Sequence, residues 1–299
     1  MSVLSQQKVA FIGLGVMGYP MAGHLQRNGY QVTVFNRTQA KAEQWVQEFG
    51  GSWAASPALA AQDAELVMLC VGNDDDVRAV FYGEQGVLLA MAAGSLLIDH
   101  TTASAELARE LDAACTARGV GFLDAPVSGG QAGAQNGALT IMLGGEASHF
   151  AKAEPCLQSY ARSARLLGPA GAGQLAKMVN QICIAGVVQG LAEAMHFAQQ
   201  SGLDGHAVLD VISKGAAQSW QMENRGHTML DGQYNFGFAV DWMRKDLAIT
   251  LNEARRNGAS LPVTALVDQL YAQVQAQGGG RWDTSSLLTV LQRQPANKS

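Results

Sequence analysis

Three glycines at fixed spacing follow the first apolar segment of the chain. The segment KVAFI (8–12) runs into Gly13-Leu14-Gly15-Val16-Met17-Gly18, and the helical pattern YPMAGHLQRNG (19–29) comes next. In such a unit Gly13 makes a tight turn, Gly15 lets a pyrophosphate approach the backbone, and Gly18 lets the helix pack on the strand. The N–H groups at the helix N-terminus attract phosphate. With a strand before it and a second strand after it, the motif predicts a dinucleotide site rather than a simple glycine-rich turn.

The end of the second strand, QVTVF (31–35), bears on which dinucleotide binds. An NAD site usually has an acidic residue there for the ribose 2′-OH, whereas an NADP site lacks the acid and adds a cation. This chain has Asn36-Arg37-Thr38. Arg37 offers a charged fork, and Asn36 and Thr38 can donate neutral hydrogen bonds to a 2′-phosphate. The sequence therefore favours NADP(H) over NAD(H). The alternative is that Arg37 is an ordinary solvated residue.

Lys177 is a cation in a strongly apolar helical segment. Asn180 and Gln181 follow it by three and four residues, so an amide shares its helix face. Burial of such an amine disfavours its charge, which would let it exchange a proton with a substrate oxygen. The alternative is a lysine that extends its ammonium to solvent near a helix start. The local spacing leaves both open.

Further candidates follow other predicted strands. These strands are AELVMLCVG (64–72), GSLLIDHTT (94–102) and GFLDAPVSGG (121–130). Ligands of open parallel sheets bind at the carboxyl ends of the strands. The candidate lining residues are therefore Val71, Gly72, Asn73, Thr101, Thr102, Ser128, Gly129 and Gly130.

Strands and helices alternate through the first part of the chain, up to the strand LTIMLGG (139–145). This alternation predicts an α/β domain over residues 1–167, a Rossmann-type doubly wound parallel sheet with helices on both faces.

The pattern then changes to helical spacing, which predicts an all-α domain over residues 168–299. Residues 172–200 are apolar on nearly every side, so we expect a central core helix about 45 Å long. Arg244, Lys245 and Asp246 are expected ahead of a later amphipathic helix. The polar tail RQPANKS (293–299) is expected to fray.

Composition limits the partners. The 299 residues are 48% hydrophobic and 15% charged, enough for two ordinary domains with buried cores. The net charge of −5 and the lack of any Lys/Arg run argue against a nucleic-acid partner. The four cysteines form no CxxC pair and the six histidines are scattered, so neither a disulfide framework nor a metal site is predicted.

The sequence has two segments to consider for membrane targeting, the N-terminus and the most apolar long stretch. The N-terminus lacks a basic region followed by an apolar one, so we expect no secretory signal. The most apolar long stretch, residues 182–198, contains Gln189, Glu193 and His196, which argues against a membrane span. We expect a cytoplasmic protein without a membrane partner.

Four motifs in this order resemble the β-hydroxyacid dehydrogenase family, which includes 3-hydroxyisobutyrate dehydrogenase and tartronate semialdehyde reductase. They are FIGLGVMGYPMAGHL (11–25), DAPVSGG (124–130), GPAGAGQLAKMVNQ (168–181) and KDL (245–247). The resemblance extends over essentially the whole chain. It implies a metal-free hydride transfer between NAD(P)(H) and a small carboxylate-bearing substrate, and association of the all-α domains into a homodimer or homotetramer.

The resemblance also implies roles for particular residues. Lys177 would be the catalytic acid/base and Asn180 its amide partner. Ser128, Gly129 and Gly130 would hold the substrate carboxylate. Thr102 would lie near the nicotinamide, and Lys245 would reach the cofactor.

Two positions depart from the family pattern. Gly72 stands where proline is usual, which predicts a more mobile loop, and Asn36 stands where an acid is frequent, which again favours NADP(H). An imine reductase shares the architecture but usually lacks the lysine. A non-catalytic dinucleotide-binding module would have lost Lys177 or the Ser128–Gly130 motif.

Overall fold

A computed structural model describes residues 7–292. By its internal contacts the chain divides into two compact units, Met1–Lys177 and Met178–Ser299. This division falls inside one long helix, and the predicted boundary between residues 167 and 168 stays a prediction. The tail 293–299, expected to fray, and the first six residues of the predicted leaderless N-terminus lie outside the described residues.

The first unit is built on a sheet of nine strands among the described residues, in the order β3-β2-β1-β4-β5-β6-β8-β7, with β9 paired to β8. The strands are β1 (Lys8–Ile12), β2 (Gln31–Phe35), β3 (Ser52–Trp53), β4 (Leu66–Leu69), β5 (Leu96–Asp99), β6 (Gly121–Asp124), β7 (Val127–Ser128), β8 (Leu139–Gly145) and β9 (Ala161–Leu166).

Helices of the first unit connect these strands. They are α1 (Gly18–Arg27), α2 (Gln39–Phe49), α3 (Pro57–Ala61), α4 (Asp74–Tyr82), α5 (Val87–Ala90), α6 (Ala105–Thr116), α7 (Gly130–Gln135) and α8 (Ala147–Leu157). Two apolar cores contain alternate side chains of the same strands, such as Phe11 and Met68 in one and Ile12 and Leu69 in the other. Strands β4, β5 and β6 are buried at every position, because a sheet covered on both faces needs apolar side chains on both.

The first six strands run parallel, which confirms the predicted α/β fold for this part of the chain. The expectation of a parallel sheet was wrong for β8, which runs antiparallel to both β6 and β7. Between β7 and β8 the chain forms only the short helix α7, and a parallel crossover needs a connection of about a dozen residues or more.

The helical part begins with α9 (Ala172–Gln200), at the predicted bounds. It continues with α10 (Gly205–Ile212), α11 (Trp220–Leu230), α12 (Val240–Asn257), α13 (Pro262–Ala276), two 3-10 turns (Gly279–Arg281 and Thr284–Leu287) and α14 (Leu288–Leu291).

The core of the second unit forms around one face of α9. Ala185, Val188 and Ala192 of this helix lie in the same buried cluster as Met243 of α12 and Tyr271 of α13. The opposite face of α9, which includes Val179, Val187 and Phe197, is exposed, so the expected core helix contributes to the core through one face.

By length and composition alone, α9 could also cross a membrane, and 44% of its most apolar 18-residue window is buried. A core helix of a soluble protein passes the same test.

The helix α12 begins earlier than predicted. Arg244, Lys245 and Asp246 lie inside it rather than ahead of it. The reason is an apolar stripe that starts at Val240 and continues through Met243 and Leu247, because side chains three and four positions apart share a helix face.

Candidate active site

The glycine-rich turn after β1 has the geometry of a phosphate cradle. Gly13 has a φ of 102°, and a side chain there would collide with the carbonyl oxygen of Cys70. A side chain at Gly18 would collide with the carbonyl oxygen of Gly13, whereas one at Gly15 would meet nothing within 4 Å. The space beside Gly15 suits a ligand that approaches the backbone, and no side chain caps the N-terminus of α1. These residues fit the pyrophosphate of a dinucleotide.

Asn36 fastens this turn to the loop after β2. Its Oδ1 accepts a hydrogen bond from Leu14 N at 3.0 Å, and its Nδ2 donates to Thr38 O at 3.1 Å. The amide therefore holds two ligand-facing loops together, a role that the sequence analysis missed, and one of its two N–H bonds is already used within the protein.

Arg37 extends into solvent beyond the carboxyl end of β2. Its side chain is 93% exposed, and its Nη1 lies 3.9 Å from Oδ1 of Asp76 on α4. An exposed guanidinium can reach a 2′-phosphate, but Asp76 offsets part of its positive charge.

The residues on both sides of Gly72, in the loop after β4, make hydrogen bonds. Val71 N donates to Thr101 Oγ1 at 3.1 Å. Asn73 caps α4 by accepting from Asp76 N at 2.9 Å. The loops after β4 and β5 are thus connected, and the greater mobility predicted for Gly72 stays a prediction.

Asp99 and His100, at the end of β5, are buried ionisable residues that the sequence analysis did not single out. Burial raises the pKa of Asp99 to about 7, and Thr101 N donates to its Oδ1 at 2.9 Å. Burial lowers the pKa of His100 to about 4. Its ring nitrogens lie 2.7 Å from Ala125 O and 2.8 Å from Tyr160 Oη. The sequence signal that could have identified these two residues was the Asp-His pair at the end of an otherwise apolar strand.

The Ser128–Gly130 motif forms a turn between β7 and α7. Gly129 and Gly130 have φ values of 132° and 60°, which glycine adopts readily. A side chain at Gly130 would meet nothing within 4 Å, so the backbone there is open on that side. Ser128 itself is partly buried. The turn can present backbone N–H groups to a small anion.

Lys177 lies on α9 and is 7% exposed, so the lysine is not extended into solvent as the alternative required. Asn180 follows one helical turn later and donates from Nδ2 to Gln181 Oε1 at 2.8 Å. The three-residue spacing on a continuous helix puts Lys177 and Asn180 on one face.

In the second unit, Asn180 belongs to a polar chain that the sequence analysis missed. Gln181 Nε2 donates to Asp246 Oδ2 at 2.8 Å, and Lys245 Nζ lies 3.2 Å from Asp246 Oδ1. Asp246 is 3% exposed. Its buried carboxylate therefore links Lys245 of the KDL segment to Gln181, which follows Lys177 by four residues on α9.

The first unit therefore brings most of the predicted site residues to one edge of its sheet. The glycine turn and the loops after β2, β4, β5 and β6 all follow carboxyl ends of parallel strands. Asn180 and Lys245 belong to the second unit. Among residues 7–292, no group of three or more His, Cys, Asp or Glu side chains is placed to hold a metal ion.

Comparison with protein families gives two matches. Residues 8–168 match the NAD-binding domain of 6-phosphogluconate dehydrogenase. Residues 171–291 match the NAD-binding domain of NADP-dependent 3-hydroxyisobutyrate dehydrogenase.

Individual relatives cover nearly the whole chain. An oxidoreductase of Shewanella frigidimarina is 65% identical over 96% of this chain and 98% of its own. A probable 3-hydroxyisobutyrate dehydrogenase-like protein of Arabidopsis thaliana is 41% identical over 97% of this chain and 86% of its own. A solved structure of Mycobacterium tuberculosis 3-hydroxyisobutyrate dehydrogenase with L-serine has a TM-score of 0.87, 30% identity, and coverage of 96% of this chain and 100% of that one.

The parallel sheet, the glycine cradle and the helical second part define a Rossmann-type, dinucleotide-dependent oxidoreductase. More particularly, the chain belongs to the 3-hydroxyisobutyrate dehydrogenase family, whose named members act on CH–OH groups. The resemblance drawn from the four sequence motifs is thereby confirmed.

Proposed function

We propose that the protein interconverts the hydroxyl group of a small β-hydroxyacid and the corresponding semialdehyde, with NADP(H) as the redox partner and Lys177 as the acid/base. The observation that carries the proposal is the burial of Lys177. Its side chain belongs to the same compact unit as the glycine cradle and the Ser128–Gly130 turn. A buried amine is rare unless its chemistry is used or its charge is paired.

Each residue then has a defined task. The backbone N–H groups of Gly129 and Gly130 and the Ser128 hydroxyl bind the substrate carboxylate. The amine of Lys177 takes the proton from the substrate hydroxyl in oxidation and returns it in reduction, and its ammonium form stabilises the developing alkoxide. Asn180 orients the hydroxyl through its amide. The bound dinucleotide supplies the hydride acceptor or donor.

The test is a panel of β-hydroxyacids and short semialdehydes, followed at the NAD(P)H absorbance with both cofactors. Wild type is expected to turn over at least one pair, and Lys177→Ala is expected to lose activity by about 10²-fold or more, in line with the loss of one acid/base group. Lys152→Ala, which changes an exposed lysine of α8, is the matched control. Failure of every substrate, or unchanged turnover in Lys177→Ala, would overturn the proposal.

The preference for NADP(H) is supported by Arg37, which is exposed where a 2′-phosphate would lie and has no carboxylate before it on β2. Arg37→Ala is expected to lower kcat/KM for NADPH about tenfold, which is 1.4 kcal/mol, and to leave NADH little changed. Asp76→Asn should raise the use of NADPH, because it removes the offsetting charge. Wild type that prefers NADH tenfold would contradict this assignment.

For the substrate, the proposal is limited to a small carboxylate-bearing compound. The M. tuberculosis relative was solved with L-serine, itself a β-hydroxyacid. In the second unit Trp220, Phe236 and Trp242 keep much of their surface exposed, and Phe238 packs against the helical core. Aromatic side chains of this kind would suit an apolar substituent on the substrate. The substrate panel should therefore include both polar and apolar substituents, and an amine with a ketone to test imine reduction.

We also propose a cytoplasmic homodimer or homotetramer that associates through α9. Val179, Val187 and Phe197 are exposed on this helix, and Gly190 has open space beside its backbone. Such an apolar helix face usually marks an interface. The four cysteines, all within residues 7–292, form no disulfide with one another, and proteins of a reducing compartment usually keep their thiols reduced. Light scattering of wild type and Phe197→Asp tests the assembly, and a monomeric wild type would contradict it.

A further inference from the structure

The N-terminus of α9, the helix that carries Lys177, is hydrogen-bonded to a buried carboxylate at the end of β6. Asp124, the last residue of β6, is fully buried. Its Oδ1 accepts from Gly171 N and its Oδ2 from Gln174 N, both at 2.8 Å. Gly171 directly precedes α9 and Gln174 lies in its first turn, where an α-helix lacks partners for its N–H donors. Asp124 therefore caps α9 from a distance in sequence, and its negative charge lies at the positive end of the helix.

Two glycines make room for this attachment. A side chain at Gly144 of β8 would collide with the Asp124 carboxylate and with Ala172 N. A side chain at Gly173 would collide with Met142 O and again with Asp124. The small size of Gly144 and Gly173 thus lets α9 begin against the sheet.

Gln174, on the first turn of α9, makes a second attachment. Its side chain is 1% exposed. Its Oε1 accepts from Ala103 N at 3.0 Å and its Nε2 donates to Thr101 O at 2.8 Å. The amide thus pairs with backbone groups on both sides of Thr102, the residue that the family resemblance places near the nicotinamide.

The connection continues to the cofactor loop after β4. Thr101 Oγ1 accepts from Val71 N at 3.1 Å and Thr101 O accepts from Gln174 Nε2, so Thr101 links Val71 to Gln174 through its side chain and its backbone. Lys177 comes three residues after Gln174 on the same helix. All of these residues lie within the first unit.

We propose that Gln174 and Asp124 are positioning residues for the reaction: they fix the first turn of α9 to the ends of β5 and β6 and so hold the Lys177 amine in register with the Thr101–Ala103 loop. The proposal rests on the proposed acid/base role of Lys177. Gln174 acts through Lys177 and the loop, and it touches neither substrate nor cofactor. A misplacement of about 1 Å between reacting groups is enough to slow turnover about 10²-fold.

Gln174→Met tests this directly, because it keeps the side-chain length and removes both hydrogen bonds. Its kcat is expected to fall by about 10-fold to 10²-fold. The KM for substrate and the Kd for NADPH are expected to stay within about threefold of wild type, since the groups that bind them are unchanged. Gln189→Met is the matched control, because Gln189 is a buried glutamine of the same helix whose Nε2 donates to Glu193 Oε1, four residues later on that helix.

Gln174→Glu supplies a second readout that a general loss of stability would not produce. A protonated carboxyl can still donate to Thr101 O and accept from Ala103 N, whereas a carboxylate cannot donate. The kcat of this variant relative to wild type is therefore expected to fall as the pH rises from about 6 to about 9, while that of Gln174→Met stays low throughout.

The outcomes separate the two proposals. The positioning role would be wrong if Gln174→Met kept the wild-type kcat, if Gln189→Met lost as much kcat as Gln174→Met, or if the kcat of Gln174→Glu relative to wild type did not change with pH. Loss of activity in Lys177→Ala would show that the proposed function still holds in each of these cases. If Gln174→Met fails to fold, the pH profile of Gln174→Glu decides. Unchanged turnover in Lys177→Ala would instead overturn the proposed function.

Discussion

Replacement of Asp99 by asparagine is expected to change how the stability of the first unit depends on pH. Burial raises the pKa of Asp99 from 3.8 to about 7, so the native state retains a proton that the unfolded chain releases. Stability therefore falls as the pH rises from about 4 to about 7, and the full cost remains above that range. Asparagine carries no charge, and its Oδ1 can still accept from Thr101 N.

The size of the effect follows from the shift. The two pKa values differ by about three pH units, which at about 1.36 kcal/mol per unit gives up to about 4 kcal/mol. Near pH 4 the variant should be about as stable as wild type. Near pH 8 it should be more stable by up to about 4 kcal/mol.

The neighbouring His100 has the opposite influence. Burial lowers its pKa from 6.5 to about 4, so the unfolded chain binds a proton that the native state does not. This contribution makes stability rise from about pH 4 to about pH 6.5, by about 3 kcal/mol. The two contributions nearly cancel in wild type over that range, and Asp99→Asn should reveal the rise caused by His100.

Urea unfolding at several pH values between about 4 and about 8 checks the prediction, with the midpoint compared at an unchanged m-value. Asp63→Asn, which changes an exposed carboxylate, is the control. A stability difference between Asp99→Asn and wild type that does not vary with pH would refute the reasoning.

Four further substitutions separate large from small effects. Gly13→Ala should destabilise by more than about 2 kcal/mol in thermal unfolding, because of its φ of 102° and the Cys70 carbonyl, whereas Gly15→Ala should fold normally and bind NADPH more weakly in a fluorescence titration. Asp283→Ala should cost about 3–5 kcal/mol in urea unfolding of the helical unit, because this buried carboxylate pairs with Arg225 at 3.2 Å. Glu110→Gln should cost less than about 1 kcal/mol in urea unfolding of the first unit, since the pair with Arg78 is partly exposed. Equal losses for Asp283→Ala and Glu110→Gln would contradict the role assigned to burial.

Much of the fold could be predicted because it depends on strong local patterns. The bounds of α9 follow from a long apolar segment, and the parallel strands from short apolar segments that alternate with helices. The helices α5 and α7 and the strand β9 were not predicted, since short or largely polar segments have no distinct period. The start of α12 was missed because its charged KDL segment drew attention away from the apolar stripe beginning at Val240.

The residues of the candidate site also fall into a group that the sequence could predict and a group that it could not. Its ligand-facing residues follow strand ends, which a sequence pattern locates without any tertiary information. Its supporting residues are joined by bonds between distant positions: Asp124 and Gln174 are 50 residues apart, and Val71 and Thr101 are 30 apart. No spacing rule predicts such pairs, and each of these residues has an ordinary structural interpretation by itself.

Asp99 and Asp124 show how the fold assigns charge to two similar residues. They end adjacent strands in direct register, both are buried, and burial raises the pKa of each. Two neighbouring carboxylates are costly to ionise together, and the Asp124 charge raises the pKa of Asp99 further. The N–H groups at the start of α9 favour the ionised form of Asp124, so Asp99 is the one that keeps its proton. Asp124→Asn should therefore lower the pKa of Asp99 and move the pH dependence of stability to lower pH in the urea assay. An unchanged pH dependence in that variant would mean that burial alone, without the neighbouring charge, sets the pKa of Asp99.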